Sequence, residues 1–150
     1  MGHTYTSLLF HAVFSTKHRR PLIHDAFRDR LHQYMSGVAR AEFGGALSIG
    51  VTENHVHALI VLPATLCVAY AMRTWKTVSS KWVHDTFAAE ADFAWQEGYG
   101  AFSVSRSNVP AVAAYIECQE AHHKRMTFEE EFIALLERHG IAYDPEHVWD

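Results

Sequence analysis

The stretch ALSIGVTENHVHALIVL (residues 46–62) reads as two strands joined by a tight turn. Ala46 to Thr52 forms the first, Glu53-Asn54 the turn, and His55 to Leu62 the second, which Pro63 stops. Side chains alternate faces along a strand, so His55 and His57 point one way and Val56 the other. Outward from this hairpin, each side carries a helix and then a strand. Upstream, Asp25 to Ala41 places Phe27, Leu31, Tyr34, Met35 and Val38 at spacings of three and four, and Phe43-Gly44-Gly45 breaks the helix. Before it, Tyr5 to Ser15 is rich in β-branched and aromatic residues and reads as a strand. Downstream, Thr65 can cap a helix to about Phe87, and Gly98 to Val104 reads as the fourth strand.

Two further helices follow. One is capped by Ser107 or Asn108, has Pro110 in its first turn and runs to about Lys124. The other starts at Thr127, with Glu130 as capping-box partner, and ends at Gly140. The order βαββαβ predicts an α+β, ferredoxin-like fold: a four-stranded antiparallel sheet with two helices on one face, plus C-terminal helices. One domain over residues 1–150 is expected, with a core of about 5–125 and a helical tail of about 126–150.

Composition agrees with a folded domain and complicates its charge. Hydrophobic residues make up 49% of the chain and charged ones only 20%, which excludes wholesale disorder. The net charge of −4 argues against a nucleic-acid binder at face value. The distribution is lopsided, however: residues 1–85 carry +4 and residues 86–150 carry −8. No leader peptide or membrane span is expected, and Cys67 and Cys118 lack CxxC spacing, so a cytoplasmic location with reduced thiols is the reading.

The chemistry-bearing residues fall in two places. His55 and His57, side by side on a sheet face, can chelate a divalent metal, or can stand as satisfied polar residues at a sheet edge. The helix after Asn108 carries Tyr115, Gln119 and His122 at spacings of four and seven, on one stripe. Its apolar stripe, Val109, Val112, Ala113 and Ile116, lies about a quarter turn away, so the polar stripe borders the packed interface. Singly, each of these is an ordinary packing or surface residue. Jointly, two imidazoles and the Gln119 amide oxygen make a three-ligand site suited to Mg2+ or Mn2+. Open positions on such a metal take phosphodiester oxygens. The Tyr115 hydroxyl could then attack phosphorus and conserve the bond energy as a phosphotyrosine.

The segments FSTKHRRPLI (14–23), NHVHALI (54–60), WQEGYGAFSVS (95–105) and YIECQEAHH (115–123) resemble the IS200/IS605-family transposases, the single-tyrosine HUH nucleases. The likeness runs from about Tyr5 to His123. It implies that His55 and His57 are the HUH metal ligands, Gln119 the third ligand, and Tyr115 the nucleophile that forms a 5′-phosphotyrosine. It also implies single-stranded DNA with a hairpin as substrate, Mg2+ or Mn2+ as cofactor, and a homodimer whose active sites are shared between chains. The sequence departs from the family pattern at Asn54, where many relatives carry Asp, and at Cys118, where Asn is frequent. A neutral amide at 54 orients an imidazole less strongly than a carboxylate. Asn54 and His122 are the candidates for supporting the ligands.

Candidate DNA contacts are Lys17, Arg19 and Arg20 after the first strand, and Arg73, Lys76 and Lys81 on the second helix beside Trp75 and Trp82. The alternative is that the tryptophans are core and the lysines a solvated face. The acidic last helix (Glu129, Glu130, Glu131, Glu137) is expected away from DNA. Three functional readings follow: a transposase that cleaves and rejoins hairpin-marked single strands, a domesticated palindrome-processing relative with the same chemistry, and a non-catalytic hairpin-binding module.

Overall fold

The computed structural model describes residues 2–119 and 125–149. Its elements are β1 (Leu9–Ser15), α1 (Asp25–Glu42), β2 (Ala46–Val51), β3 (His55–Val61), α2 (Val68–Thr86), β4 (Gly100–Val104), α3 (Val109–Glu117) and α4 (Phe128–Arg138). The strands form one antiparallel sheet in the order β2-β3-β1-β4. This is the ferredoxin-like arrangement expected from the sequence.

The sheet is buried on both faces. On one, Ala12, Phe14, Val56, Ala58 and Ile60 pack under α1 and α2 with Phe27, Leu31, Met35, Met72 and Trp75. Trp75 is a core residue, and Trp82 stacks on Tyr34 with ring centroids 4.5 Å apart. On the other face, Leu9 and Leu59 meet Ile116 of α3, while Val13 and Phe102 meet Phe128, Phe132, Leu135 and Leu136 of α4. The C-terminal helix is therefore laid over the sheet. Thr127 caps its start by accepting from the Glu130 amide, and Gly140, at φ +67°, turns the chain so that the Ile141 amide reaches Leu136 O.

Four boundaries differ from the expectation by more than a residue. β1 begins at Leu9, not Tyr5, because β3 and β4 both end opposite Leu9 and leave earlier residues without a ladder. Thr65 does not cap α2. Residues 63–66 form a turn closed by the Leu66 amide on Pro63 O, and Cys67 takes the cap position. β4 begins at Gly100, not Gly98, because Lys76 Nζ takes the carbonyls of Gln96, Glu97 and Gly98. α3 ends at Glu117 rather than running to about Lys124, because Cys118, at φ −95° and ψ 16°, leaves the helical range, so Gln119 lies past its end. None of the described helices is long and apolar enough to cross a membrane.

Candidate active site

The period of two along β3 puts His55 and His57 on the face under α3 and α4, where they are 1% and 0% exposed. The turn before the strand fixes the first ring. His55 Nδ1 lies 2.7 Å from Asn54 Oδ1 and 2.8 Å from the Thr52 hydroxyl. The Asn54 amide nitrogen donates to Arg19 O at 3.2 Å, which turns its oxygen toward the ring. An amide oxygen only accepts, so Nδ1 of His55 carries the proton and Nε2 offers a lone pair to the site.

α3 approaches this face closely because residue 50 is glycine. A Cβ there would stand 2.5 Å from Ile116 O and 3.1 Å from Gln119 Cγ. The approach brings Gln119 Oε1 to 3.3 Å from His55 Nε2, while the amide nitrogen donates to Tyr115 O at 3.3 Å. Gln119 is buried and Tyr115 half-buried. The Tyr115 ring lies 5.7 Å from that of His57 and 6.0 Å from that of His11. His122 lies outside the described residues.

Two residues that the sequence reading passed over complete the cluster. Glu131 of α4 is buried between the groups expected to act: Oε1 is 2.8 Å from His57 Nε2 and 3.6 Å from His55 Nε2, and Oε2 accepts from the Tyr115 hydroxyl. Its position was visible in the sequence, because Phe128, Glu131, Phe132 and Leu135 share one stripe and an acid there breaks an apolar pattern. The helix expected to lie away from DNA thus supplies a carboxylate to the site. The second residue, His11 on β1, places Nε2 2.8 Å from His57 Nδ1.

Charge in the site follows from this packing. Burial pushes His11 down to about 3, with the neighbouring His57 adding to the effect, so its ring stays neutral. Burial alone would raise Glu131, but hydrogen bonds and charge from His57, with the Tyr115 hydroxyl and His55, bring it to about 2. Burial, then the Glu131 hydrogen bond and charge, hold the Tyr115 phenol well above its ordinary value. The resting tyrosine is protonated and locked.

The donor set fits a divalent cation. Ligand atoms of His55, His57 and Glu131 all lie within 4.8 Å of one another, and Gln119 Oε1 faces the same nitrogen of His55. Once His57 Nε2 gives up the proton it donates to Glu131, acceptor atoms turned toward a common point are what a cation satisfies.

The basic candidates divide. Asn54 and Arg19 join the site region: Arg19 pairs with Glu129 at 2.9 Å and lies over the Trp149 ring at 4.8 Å. Lys17 and Arg20 flank it, exposed. Arg73, Lys76 and Lys81 sit on α2, across the sheet from the histidines. Arg73 is exposed there. Lys81 pairs with Asp85. Lys76 is turned to the carbonyls of residues 96–98 at 2.5–3.3 Å, and burial lowers it to about 8.

Comparison with known proteins adds the last observation. Residues 4–119 match the family of IS200-like transposases. No curated protein matches the chain. Among solved structures, the chain is similar to a candidate transposase from Deinococcus radiodurans R1, at 21% identity over 79% of this chain and 96% of that one, with a TM-score of 0.62. It is also similar to a REP-associated tyrosine transposase bound to a REP hairpin, at 16% identity over 82% and 73%, with a TM-score of 0.60. At these identities the two structures speak for the fold. The family match stops short of α4, which supplies Glu131.

Proposed function

The chain belongs to the IS200-like transposase family, and on that premise we propose that it cleaves and rejoins single-stranded DNA at hairpin-marked ends through Tyr115. The observation that carries this reading is the meeting of Tyr115, His55, His57, Gln119 and Glu131 in one buried cluster of a single chain. His55, His57 and Gln119 would hold Mg2+ or Mn2+, with Glu131 as a fourth ligand. The bound ion would draw charge from the non-bridging oxygens of the scissile phosphate.

The Tyr115 oxygen forms a bond to phosphorus and the bond from phosphorus to O3′ breaks. The phenolic proton leaves toward Glu131, which already accepts it in a hydrogen bond, and the departing 3′ oxygen takes a proton from water and leaves as a hydroxyl. Attack by a 3′-OH on the phosphotyrosine reverses the exchange and rejoins a strand without another energy source. His11, neutral and donating or accepting through one nitrogen, lets His57 present either tautomer to the site. Asn54 orients His55. Lys17, Arg19 and Arg20 line the approach of the phosphate backbone, whereas Arg73 and Lys81 hold the far side of the sheet. The whole chain, 1–150, works as one unit, because the tail beyond the core of about 5–125 completes the site.

One chain carries every group of the cluster, which supports a tyrosine that serves its own histidines. A homodimer with shared sites predicts instead that Tyr115→Phe and His57→Ala chains, each inactive, regain activity when mixed. Incubation with a hairpin-bearing oligonucleotide from the gene's flanks and Mn2+ should give a covalent protein–DNA band. The band should vanish in Tyr115→Phe and in chelator. An adduct that survives Tyr115→Phe overturns the assignment. Flanking element ends, rather than scattered palindromes, would separate an element's own transposase from a palindrome-processing relative with the same chemistry.

A further inference from the structure

A cleft of about 310 Å3 opens beside the tyrosine, between β4, α3 and α4. It reaches the catalytic cluster at His11 and Tyr115, and its polar lining continues through Ser103, Asn108, Arg138 and His139. Among the described residues, no acidic side chain lines it. Its volume is at the small end of ligand pockets, the range of a small ligand.

The lining groups are of the kinds that recognise the three parts of a nucleotide. Arg138 offers a planar fork that matches phosphate. Its positive charge acts on the Tyr115 phenol, against the effect of burial, so it lies within electrostatic reach of the reacting oxygen. Among the described residues, no carboxylate forms a salt bridge with it. The Asn108 amide has both donor and acceptor, as a base edge requires. The His139 ring is held flat against Phe102, with centroids 4.4 Å apart and planes 22° apart, which makes an aromatic platform. Leu135, Arg138 and His139 lie beyond the residues that match the family, so one wall of this cleft is built by the C-terminal helix and its cap.

We infer that the cleft binds the nucleotide adjoining the scissile phosphate, with its phosphate on Arg138 and its base between Asn108 and His139. This rests on the reading of Tyr115 as nucleophile, and it makes the cleft the place where the cleavage position is chosen.

The test has two arms. In the first, without metal, the four deoxynucleoside monophosphates are titrated against the full chain by ligand-observed NMR, with inorganic phosphate and the free nucleosides as competitors. Binding of at least one monophosphate is expected, weakened about tenfold by Arg138→Gln and by Ala111→Trp, which fills the cleft from exposed α3. Asn108→Ala serves if the tryptophan variant does not fold. No monophosphate binding, binding unchanged in these variants, or displacement by inorganic phosphate as effective as by the monophosphates, overturns the inference. In the second arm, an abasic residue beside the scissile phosphate should raise KM for adduct formation about tenfold in the native chain, with little effect in Ala111→Trp. Equal sensitivity in both chains overturns it. An adduct without monophosphate binding condemns the cleft alone. Monophosphate binding without an adduct leaves the cleft standing and condemns the tyrosine assignment.

Discussion

The two faces of the sheet are made by the same strands and do opposite work. Along β3, Val56, Ala58 and Ile60 face α1 and α2, and His55 and His57 face α3 and α4. Along β1, Ala12 and Phe14 belong to the first face, and His11 and Val13 to the second. The first face is apolar and dry, so its stabilisation is burial and packing. The second buries imidazoles, an amide and a carboxylate, which is tolerated because each has hydrogen-bond partners. A period of two thus lets one strand carry the apolar core on one side and the candidate site on the other.

The sharpest way to break this division is to truncate one residue on each face. Phe14 is fully buried, with Trp95 4.9 Å and Trp75 6.1 Å away. Phe14→Ala should cost about 3–5 kcal/mol in denaturant unfolding, while the folded fraction keeps its rate of adduct formation. His57→Ala should do the reverse, lowering adduct formation about a thousandfold, near 4 kcal/mol of barrier. Its midpoint of unfolding should move far less than that of Phe14→Ala. If Phe14→Ala damages the chemistry of the folded protein as much as His57→Ala does, the faces are not independent.

A smaller effect is expected at Gly50, where the strand touches α3. Any Cβ at 50 meets the Ile116 carbonyl, a backbone atom that cannot turn aside. Gly50→Ala should lift α3, draw Gln119 away from His55 and lower adduct formation about ten- to a hundredfold, as changes to groups supporting a metal site do. Unfolding free energy should fall by only about 1–2 kcal/mol. A variant with the native rate would mean that the close approach of α3 is not what sets the site.

The faces also differ in how far they could be read in advance. The alternation in HVHALIVL and the three- and four-residue spacings of α1 and α2 carry the apolar face almost directly, because burial depends on local periodicity. His55 and His57 face one way for the same reason, strand spacing, whereas Gln119 lies past the end of α3 and meets Tyr115 through a hydrogen bond to its carbonyl rather than along one helical stripe. What brought in His11 was the register of β1 against β3, which pairs Val13 with His57 and so sets His11 diagonally beside it. Register of that kind is a tertiary fact. Glu131 carried a signal, an acid within the apolar stripe of Phe128, Phe132 and Leu135, but that stripe says that α4 packs, not where. Lys76 looked like a phosphate contact until residues 96–98 returned past it, a contact some twenty residues distant in the chain.

The smallest expected effect concerns acid, and it separates the faces by pH. His11 stays neutral when folded, at about 3, but takes a proton near 6.5 when unfolded. The unfolded chain then binds more protons between those values, so stability falls as pH drops below about 6.5 and goes on falling toward 3. Glu131, brought to about 2 from 4.5, adds a second loss that begins only below about 4.5. Measured in chelator, unfolding free energy should drop by about 1 kcal/mol between pH 6.5 and 5.5. His11→Asn should flatten that window and leave the lower one, and Glu131→Gln should flatten the lower one. Phe14→Ala should shift the whole curve down without changing its shape, because the apolar face has nothing to titrate. A slope between pH 6.5 and 5.5 that persists in His11→Asn would place the acid sensitivity elsewhere and remove this distinction between the faces.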